Sequence, residues 1–183
     1  MSEYFDELCT AMKALAEHPK TIFIGQGVAS AGTTMTDTLT DYVPRDKMIE
    51  FPVAEDMQMG FCIGLALEGW LPIAIYPRWN FLLLAANQLV NHLDALPAMG
   101  YRPKVIIRTA VPSTDPFYPG PQHDGNFTQA FKQMLRTVNV VELDSTDKIK
   151  PAYHQALVGG LATLLVEHTA MYGNVIPSAV PEK

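Results

Sequence analysis

Six short apolar runs, separated by stretches in which apolar residues recur at helical spacing, constrain the fold of this chain most strongly. The runs are rich in β-branched and aromatic residues, and they predict strands at residues 21–24, 48–53, 71–76, 104–109, 138–143 and 162–167. The other stretches predict helices at residues 2–16, 80–96, 127–136 and 146–157, with a further helix that begins at Glu55. Alternating strands and helices predict an α/β fold, a three-layer sandwich with a mainly parallel sheet between helices.

The length and composition of the chain favour one domain with a short tail. A chain of 183 residues that is 48% hydrophobic can bury the core of one domain and is short for two. We expect the domain to span residues 1–172, because Pro177 and Pro181 indicate that residues 173–183 form a tail. Within the domain, residues 111–126 contain four prolines and two glycines, a composition typical of a functional or mobile loop.

The charge and the apolar pattern of the chain exclude several classes of partner. The formal net charge is -6 and the isoelectric point is near 5.3, so the surface lacks the basic groups that neutralise a nucleic-acid backbone. No run reaches the roughly 18 apolar residues of a membrane span, and the chain starts with acidic Glu3 and Asp6 instead of a basic secretion signal. Cys9 and Cys62 lie in apolar patterns without a ligand-spaced neighbour, so we expect free buried thiols and a cytoplasmic location.

Two ionisable residues follow predicted strands at the edge where parallel sheets usually bind ligands. Glu55 begins a predicted helix, and His123 lies in the long loop. From the pattern alone, Glu55 also fits a carboxylate that favours the helix dipole, and His123 also fits a solvated loop residue. The spacing of Gly25, Gly27 and Gly32 matches no dinucleotide or nucleoside-triphosphate fingerprint. The five histidines and the scattered carboxylates predict no metal site in this chain.

The run FPVAEDMQMGFCIGLALEGWLP, from Phe51 to Pro72, adds information that spacing does not give. It resembles the β subunit of the thiamine-diphosphate-dependent decarboxylating component of 2-oxo acid dehydrogenases and, more broadly, the pyrimidine-binding domain of transketolase-like enzymes. The resemblance covers roughly residues 21–172 and includes Gly25, Val28, Asn80-Phe81, Ala85, residues 87–91, Ile107-Arg108, Gln122-His123, Glu167-His168 and Tyr172. It implies the same α/β fold and a cofactor-binding site.

The resemblance also implies roles for individual residues. The family glutamate that matches Glu55 bonds the ring nitrogen of the cofactor's aminopyrimidine, which promotes the imino form that deprotonates the thiazolium carbon. The position of Phe81 stacks on the pyrimidine ring and that of Val53 lines it, while both residues also fit plain core positions. The family histidine that matches His123 helps to handle the substrate carboxylate or the lipoyl acceptor.

Some positions depart from the family pattern. Gln26-Gly27 replaces acidic residues that commonly follow the first strand, so a proton relay through those acids is lost or rerouted and Gln26 becomes a candidate cofactor-binding residue. After His123, Asp124-Gly125 replaces a serine and a glutamine, which leaves the acceptor of the acyl unit open. Arg78 and Trp79 stand beside the cofactor stretch, and Arg78 fits either an anionic substrate or a helix cap.

The resemblance further implies a partner. The chain lacks the Gly-Asp-Gly and following asparagine that hold magnesium and the diphosphate in this family, and it ends where the family's β subunits continue into a C-terminal domain. We therefore expect a diphosphate-binding α-type subunit to hold the magnesium and to complete the thiamine diphosphate site. Two copies of each subunit, an α2β2 heterotetramer, are the simplest assembly.

The function implied by the resemblance is that of a pyrimidine-binding subunit. With its partner it would decarboxylate a 2-oxo acid and transfer the acyl or aldehyde unit. Alternatives within the enzyme class are transketolase-type ketol transfer from a ketose and simple 2-oxo acid decarboxylation. A further alternative is a non-catalytic assembly or regulatory module, although the retained Glu55 and Phe81 weigh against it.

Overall fold

The computed structural model describes residues 2–30, 33–113 and 119–173. These ranges contain six strands: β1 (Thr21–Gly25), β2 (Met48–Glu50), β3 (Leu71–Ile75), β4 (Ile106–Val111), β5 (Asn139–Glu142) and β6 (Thr163–His168). The strands form one sheet in the order β2-β1-β3-β4-β6-β5, and every neighbouring pair is parallel. Residues 114–118 of the predicted loop and 174–183 of the predicted tail lie outside the described residues.

Helices connect the strands and cover both faces of the sheet. The α-helices are α1 (Glu3–Glu17), α2 (Thr34–Asp37), α3 (Glu55–Leu67), α4 (Trp79–Leu82), α5 (Thr128–Met134) and α6 (Ile149–Val158). Short 3₁₀ helices cover Arg45–Lys47, Leu83–Ala85, Leu96–Met99, Thr146–Lys148 and Thr169–Tyr172, and Gln88–Leu93 is a π-helix. In the described ranges, no helix is long and apolar enough to cross a membrane.

Two apolar layers, one on each face of the sheet, form the core. Side chains of α1, α2 and α6 pack on one face, where they meet Phe23 and Ile73. Side chains of α3, α4 and α5 pack on the other face, where they meet Ile24 and Ala74. Successive residues of a strand point to opposite faces, so the same strands contribute to both layers. This arrangement confirms the predicted three-layer α/β sandwich, with a sheet that is parallel throughout.

Two strands differ in extent from the prediction. β2 ends at Glu50 instead of residue 53, because Glu50 lies opposite Gly25, the last residue of β1, and the chain beyond it has no strand to pair with. β4 spans Ile106–Val111 instead of residues 104–109, because its ladder with β6 runs from Ile106 to Val111. The strand positions are therefore set by pairing, which a local pattern does not contain.

The helix predicted at residues 80–96 is a series of shorter helical segments between Trp79 and Met99. It begins at Trp79, one residue before the predicted start, and Arg78 at the N-cap position makes no side-chain cap hydrogen bond. The segment changes from α to 3₁₀ to π hydrogen bonding, and Pro97, which lacks an N–H group, lies in its last turn. Each segment has only three to six residues, too few turns for the sequence pattern to distinguish the helix types.

Asp94 ties the end of this helical series to the turn before β5. Its carboxylate accepts hydrogen bonds from the backbone N–H groups of Arg136, Thr137 and Val138 at 2.7–3.0 Å and from the Thr137 hydroxyl at 3.1 Å. Burial alone would raise the pKa of Asp94, but the N–H groups of Thr137, Val138 and Arg136 and the Thr137 hydroxyl outweigh it and hold the pKa below its ordinary value. The ionised carboxylate therefore stabilises the fold.

We expect Asp94→Asn to lower the free energy of unfolding at neutral pH by about 1–3 kcal/mol, because a neutral acceptor replaces a charged one. Since the folded-state pKa is lowered, the stabilisation is present above the unfolded-state pKa and is lost as the pH falls through the folded-state pKa. The difference between the two proteins should shrink below the ordinary aspartate pKa of about 3.9. Urea denaturation of both proteins from neutral pH to below about pH 3.9 measures the difference in the free energy of unfolding. A difference that does not change with pH would contradict the stabilising role of the ionised Asp94.

Both cysteines are free and buried, as the sequence predicts. Cys9 packs in the layer beneath α1 and Cys62 in the layer beneath α3. Burial raises the pKa of the Cys9 thiol to about 11 and that of Cys62 to about 12, so neither is a thiolate at neutral pH. The two residues contribute packing to the core.

Candidate functional site

Four of the side chains predicted to form the site follow four different strands at the carboxyl edge of the sheet. Gln26 follows β1, Glu55 follows β2 at the start of α3, Phe81 lies in α4 after β3, and His123 lies in the loop after β4. The four strands occupy consecutive places in the sheet, in the order β2-β1-β3-β4. The carboxyl edge of an open parallel sheet is where such folds usually bind ligands. The sheet topology thus gathers residues that are far apart in sequence.

Gln26 and Glu55 form the first pair. The side-chain amide of Gln26 donates a hydrogen bond from Nε2 to Glu55 Oε1 at 3.1 Å. The other carboxylate oxygen, Oε2, accepts no hydrogen bond from the residues that the structure describes. Because Glu55 is only 6% exposed, its carboxylate is largely withdrawn from water. The acid is therefore held by one oxygen, and the other is left for a ligand.

The turn after β1 positions Gln26. Gly25 has no room for a side chain, because a Cβ there would lie 2.5 Å from a carbonyl oxygen of the neighbouring strand β3. Gly27 has a φ of 67°, in the left-handed region that favours glycine. The Glu50 carboxylate accepts hydrogen bonds from the N–H groups of Gly27 at 2.5 Å and of Ala29 at 2.9 Å. These contacts fix the turn that carries Gln26.

The start of α3, which carries Glu55, is anchored to the sheet by two polar side chains. The Tyr76 hydroxyl donates to the Glu55 carbonyl oxygen at 3.2 Å, and burial raises the pKa of Tyr76 well above its ordinary value, so that it stays a neutral donor. The buried Gln58 amide donates from Nε2 to the carbonyl oxygens of Ile24 at 3.2 Å and Ile75 at 3.0 Å. These bonds hold the helix against the ends of β1 and β3.

Phe81 and His123 form the second pair. Their ring centroids are 5.5 Å apart, with an angle of 58° between the rings. Both side chains are partly buried. The loop that carries His123 can reach α4 because Gly125 is small: a Cβ there would clash with the Phe127 ring and lie 3.3 Å from Asn80 Nδ2. The glycine that departs from the family pattern therefore allows the loop to pack closely.

Several buried polar atoms around the second pair have no hydrogen-bond partner in the described part of the chain. They are Trp79 Nε1, Asn80 Oδ1 and His123 Nδ1. A buried polar group that is left unpaired costs about 1–3 kcal/mol, so groups of this kind mark places where water or a ligand completes the hydrogen bonding. Trp79 packs in the core against Phe127 and Phe131, but Asn80 precedes Phe81 and the His123 ring contacts it, so these two residues mark a candidate binding region.

Val53 belongs to neither pair. It lies beyond the end of β2 and is 81% exposed, so the interpretation of Val53 as a buried strand residue is wrong. Its contact with a cofactor ring stays a prediction. Met57 and Phe61 lie one helical turn apart on α3 and are 59% and 42% exposed. We call Met57 and Phe61, together with Val53 just before the helix, the apolar face of α3.

The sequence reasoning missed the residues that support the acid. Glu50 and Tyr76 occupy strand ends, where polar groups are common and carry no distinguishing pattern. The sequence gives a weak signal for Gln58, because it is a polar residue in a largely apolar stretch, one turn after Glu55. A buried polar side chain requires partners, so its position in the helix could have indicated a tether to the backbone of the sheet.

Known proteins resemble this chain in sequence. The family model described as "Transketolase, pyrimidine binding domain" matches residues 4–173. The pyruvate dehydrogenase E1 component subunit beta of Gracilaria tenuistipitata var. liui is 25% identical over 174 residues, which cover 92% of this chain and 53% of that protein. The 3-methyl-2-oxobutanoate dehydrogenase subunit beta of Mycobacterium tuberculosis (strain ATCC 25618 / H37Rv) is 32% identical over 82 residues, which cover 44% of this chain and 24% of that protein.

A solved structure also resembles the chain in fold. It is described as "Split gene transketolase, inactive beta4 tetramer", and it matches with a TM-score of 0.69 and 17% identity over 90% of this chain and 51% of that chain. The chain thus spans about half or less of the length of the proteins that it matches. Because the family model covers residues 4–173, the chain belongs to the family of transketolase pyrimidine-binding domains.

Proposed function

We propose that the chain is the pyrimidine-binding subunit of a two-component thiamine-diphosphate enzyme that decarboxylates a 2-oxo acid and transfers the acyl or aldehyde unit. The observation that carries the proposal is the buried carboxylate of Glu55, which is held through Oε1 by Gln26 while Oε2 has no partner among the described residues. An acid shielded from water suits proton sharing with a weakly basic ring nitrogen. The names of the relatives, pyruvate and 3-methyl-2-oxobutanoate dehydrogenase β subunits, support the substrate class.

The residues at the carboxyl edge fit an aminopyrimidine ring. Glu55 offers a free carboxylate oxygen, and Phe81 offers aromatic surface that is only partly buried. Unpaired polar atoms of Asn80 and His123 lie beside that aromatic ring. A flat ring that carries a basic nitrogen and an amino group is complementary to this combination of a carboxylate, an aromatic surface and hydrogen-bonding groups.

Each of these side chains has a task in the proposal. When bound, thiamine diphosphate supplies the electron sink that allows a 2-oxo acid to lose carbon dioxide. Glu55 shares a proton with the ring nitrogen, and Gln26 keeps the Glu55 carboxylate in place. Phe81 packs on the ring, and His123, which contacts Phe81, serves the reacting end of the substrate or the acyl acceptor.

A partner subunit is part of the proposal. An α-type subunit would hold the diphosphate and the magnesium, in an assembly with two copies of each subunit. Among the described residues, no group of three or more side chains is placed to hold a metal ion. The apolar face of α3 supports an interface beside Glu55, because clustered exposed apolar side chains mark interaction sites.

We expect Met57→Lys to weaken the assembly with the partner at least about tenfold, because a charge would enter an apolar interface while lysine preserves the helix. Met134→Lys is the matched control, since Met134 is 47% exposed but lies on α5. Light scattering of the purified complex over a dilution series measures the dissociation. Equal dissociation of the two variants would remove the apolar face of α3 from the interface.

Cofactor-dependent turnover tests the proposed function. The tagged chain is purified from its own cells together with its partner, freed of cofactor by dialysis against a chelator, and supplied with thiamine diphosphate and magnesium. We expect decarboxylation of pyruvate or 3-methyl-2-oxobutanoate only when both are present. Calorimetry should show that the lone chain binds thiamine diphosphate much more weakly than the assembly, because the diphosphate would contact the partner.

Two results would replace this assignment by another. Turnover of ketose phosphates without decarboxylation of 2-oxo acids would indicate ketol transfer. A complex that turns over neither substrate class, with or without thiamine diphosphate, would indicate an assembly or regulatory module.

A further inference from the structure

Arg78 lies at the carboxyl edge of the sheet, between the two pairs of the candidate site. Just before it, the Tyr76 hydroxyl donates to the Glu55 carbonyl oxygen at 3.2 Å. One helical turn after it, Phe81 contacts His123. The Arg78 carbonyl oxygen accepts a hydrogen bond from the Phe81 N–H at 3.1 Å, so Arg78 shares the turn that carries the aromatic ring.

The charge of Arg78 is not neutralised within the described part of the chain. None of the ion pairs found there involves Arg78, and its guanidinium donates no hydrogen bond to a described residue. The side chain is nevertheless partly buried, and burial lowers the pKa of the guanidinium below its ordinary value. The helix-cap alternative is not supported, because Arg78 makes no side-chain cap hydrogen bond and a cation gains nothing at a helix start.

In the described ranges, every other lysine or arginine that is at least partly buried has a partner for its charge, and Arg78 has none. Arg108 pairs with Glu167. Lys47 and Lys104 donate hydrogen bonds to backbone carbonyl oxygens. None of the Arg78 nitrogen atoms is both fully buried and unpaired, so the guanidinium reaches the surface of the carboxyl edge, where a ligand can contact it. An anionic ligand would supply the partner that the described chain does not provide for Arg78.

We propose that Arg78 binds the carboxylate of the 2-oxo acid and selects such substrates over neutral aldehydes and ketones. This inference rests on the proposed function and adds to it the residue that recognises the substrate charge. The planar guanidinium matches a carboxylate through two parallel hydrogen bonds, which a neutral carbonyl compound does not offer. The unpaired polar atoms of Asn80 and His123 lie in the same part of the edge and extend the polar surroundings of a bound acid.

The kinetic consequence of this role is distinctive. The carboxylate leaves as carbon dioxide, so its charge is weaker in the transition state than in the bound substrate. An interaction with that charge stabilises the ground state at least as much as the transition state. Loss of Arg78 should therefore raise KM with little loss of kcat, whereas damage to the fold or to proton transfer would lower kcat.

The experiment compares Arg78→Met with Arg102→Met in the cofactor-loaded complex. Arg102 is the matched control, because it is exposed and precedes β4 at the opposite edge of the sheet. For pyruvate, we expect Arg78→Met to raise KM about ten- to a hundredfold and to leave kcat within about threefold of the parent. Arg78→Lys should restore part of the affinity, because it keeps the charge without the planar fork.

Direct binding gives a readout that does not depend on turnover. In the complex without cofactor, the isotope-labelled arginine signal that disappears in Arg78→Met identifies this guanidinium. We expect pyruvate to shift that signal and acetaldehyde to leave it unchanged. An unshifted signal together with an unchanged KM would overturn the role of Arg78, while turnover of pyruvate by the same complex would leave the proposed function intact. A shift with a ketose phosphate but not with pyruvate would also overturn it.

Discussion

Under the proposed function, replacement of Glu55 by glutamine should lower the turnover of the complex by about a hundred- to ten-thousandfold while the chain still folds and assembles. Glutamine keeps the size of the side chain, and its carbonyl oxygen can accept the hydrogen bond that Gln26 now donates to Glu55 Oε1 at 3.1 Å. Its amide can donate a hydrogen bond but has no acidic proton to transfer to a ring nitrogen. Steady-state kinetics at saturating thiamine diphosphate measure the loss, and thermal denaturation reports on the fold.

Asp56→Asn is the matched control for this substitution. Asp56 also lies in the first turn of α3, but it is exposed. A carboxylate that only favours a helix start contributes about 0.3–1 kcal/mol of stability and nothing specific to turnover. If Glu55→Gln behaves like Asp56→Asn and keeps its turnover within about threefold of the parent, Glu55 is a structural residue and the proposed function loses its main support.

We expect Glu167→Gln to lower the free energy of unfolding by about 3–5 kcal/mol, because it leaves the buried Arg108 without a counter-charge. Both side chains are 0% exposed, with Arg108 Nε 2.7 Å from Glu167 Oε1 and Nη2 3.1 Å from Oε2. The hydroxyls of Tyr153 and Tyr172 donate to the same carboxylate. Burial alone would lower the pKa of Arg108, but the Glu167 charge raises it above its ordinary value, so the cation persists.

Urea denaturation measures this effect against two further variants. Lys148→Gln breaks the pair between Lys148 and Asp144, which are 50% and 52% exposed, and should change the free energy of unfolding little, because exposed ion pairs contribute little. The double variant Arg108→Met with Glu167→Gln removes both charges and should be more stable than Glu167→Gln alone. If Glu167→Gln does not fold, the double variant still tests the buried pair, because removal of both charges leaves no unpaired cation and should restore folding. A loss no larger than that of Lys148→Gln would contradict the importance of the buried pair.

The elements of the fold were predictable where local spacing determines them. Each of the six observed strands overlaps a predicted apolar run, because buried parallel strands are short and continuously apolar. The order of the strands was not predictable, and the long-range contacts depend on that order. Gln26 and Glu55 are 29 positions apart, and Arg108 and Glu167 are 59 positions apart. Local spacing identifies strands and does not say which ones are neighbours.

The candidate site was predictable only through its family resemblance. Glu55 and Asp56 are adjacent carboxylates at the start of the same helix, and no pattern distinguishes them. In the structure Glu55 is 6% exposed and Asp56 is exposed. Glu55 also accepts a hydrogen bond from Gln26 in the turn after β1, a contact between distant parts of the chain. The burial of Glu55 is therefore a tertiary property.

The double hydrogen bond of Gln58 couples the position of Glu55 to the alignment of two strands. One amide joins α3 to Ile24 and to Ile75, residues of two adjacent strands. Any sliding of β1 along β3 would break one of these bonds and displace the helix that begins with Glu55. The register of β1 and β3, two strands of one chain, therefore fixes the position of the helix that carries Glu55. In the proposed assembly, a change in an interface between subunits would therefore leave the position of Glu55 unchanged.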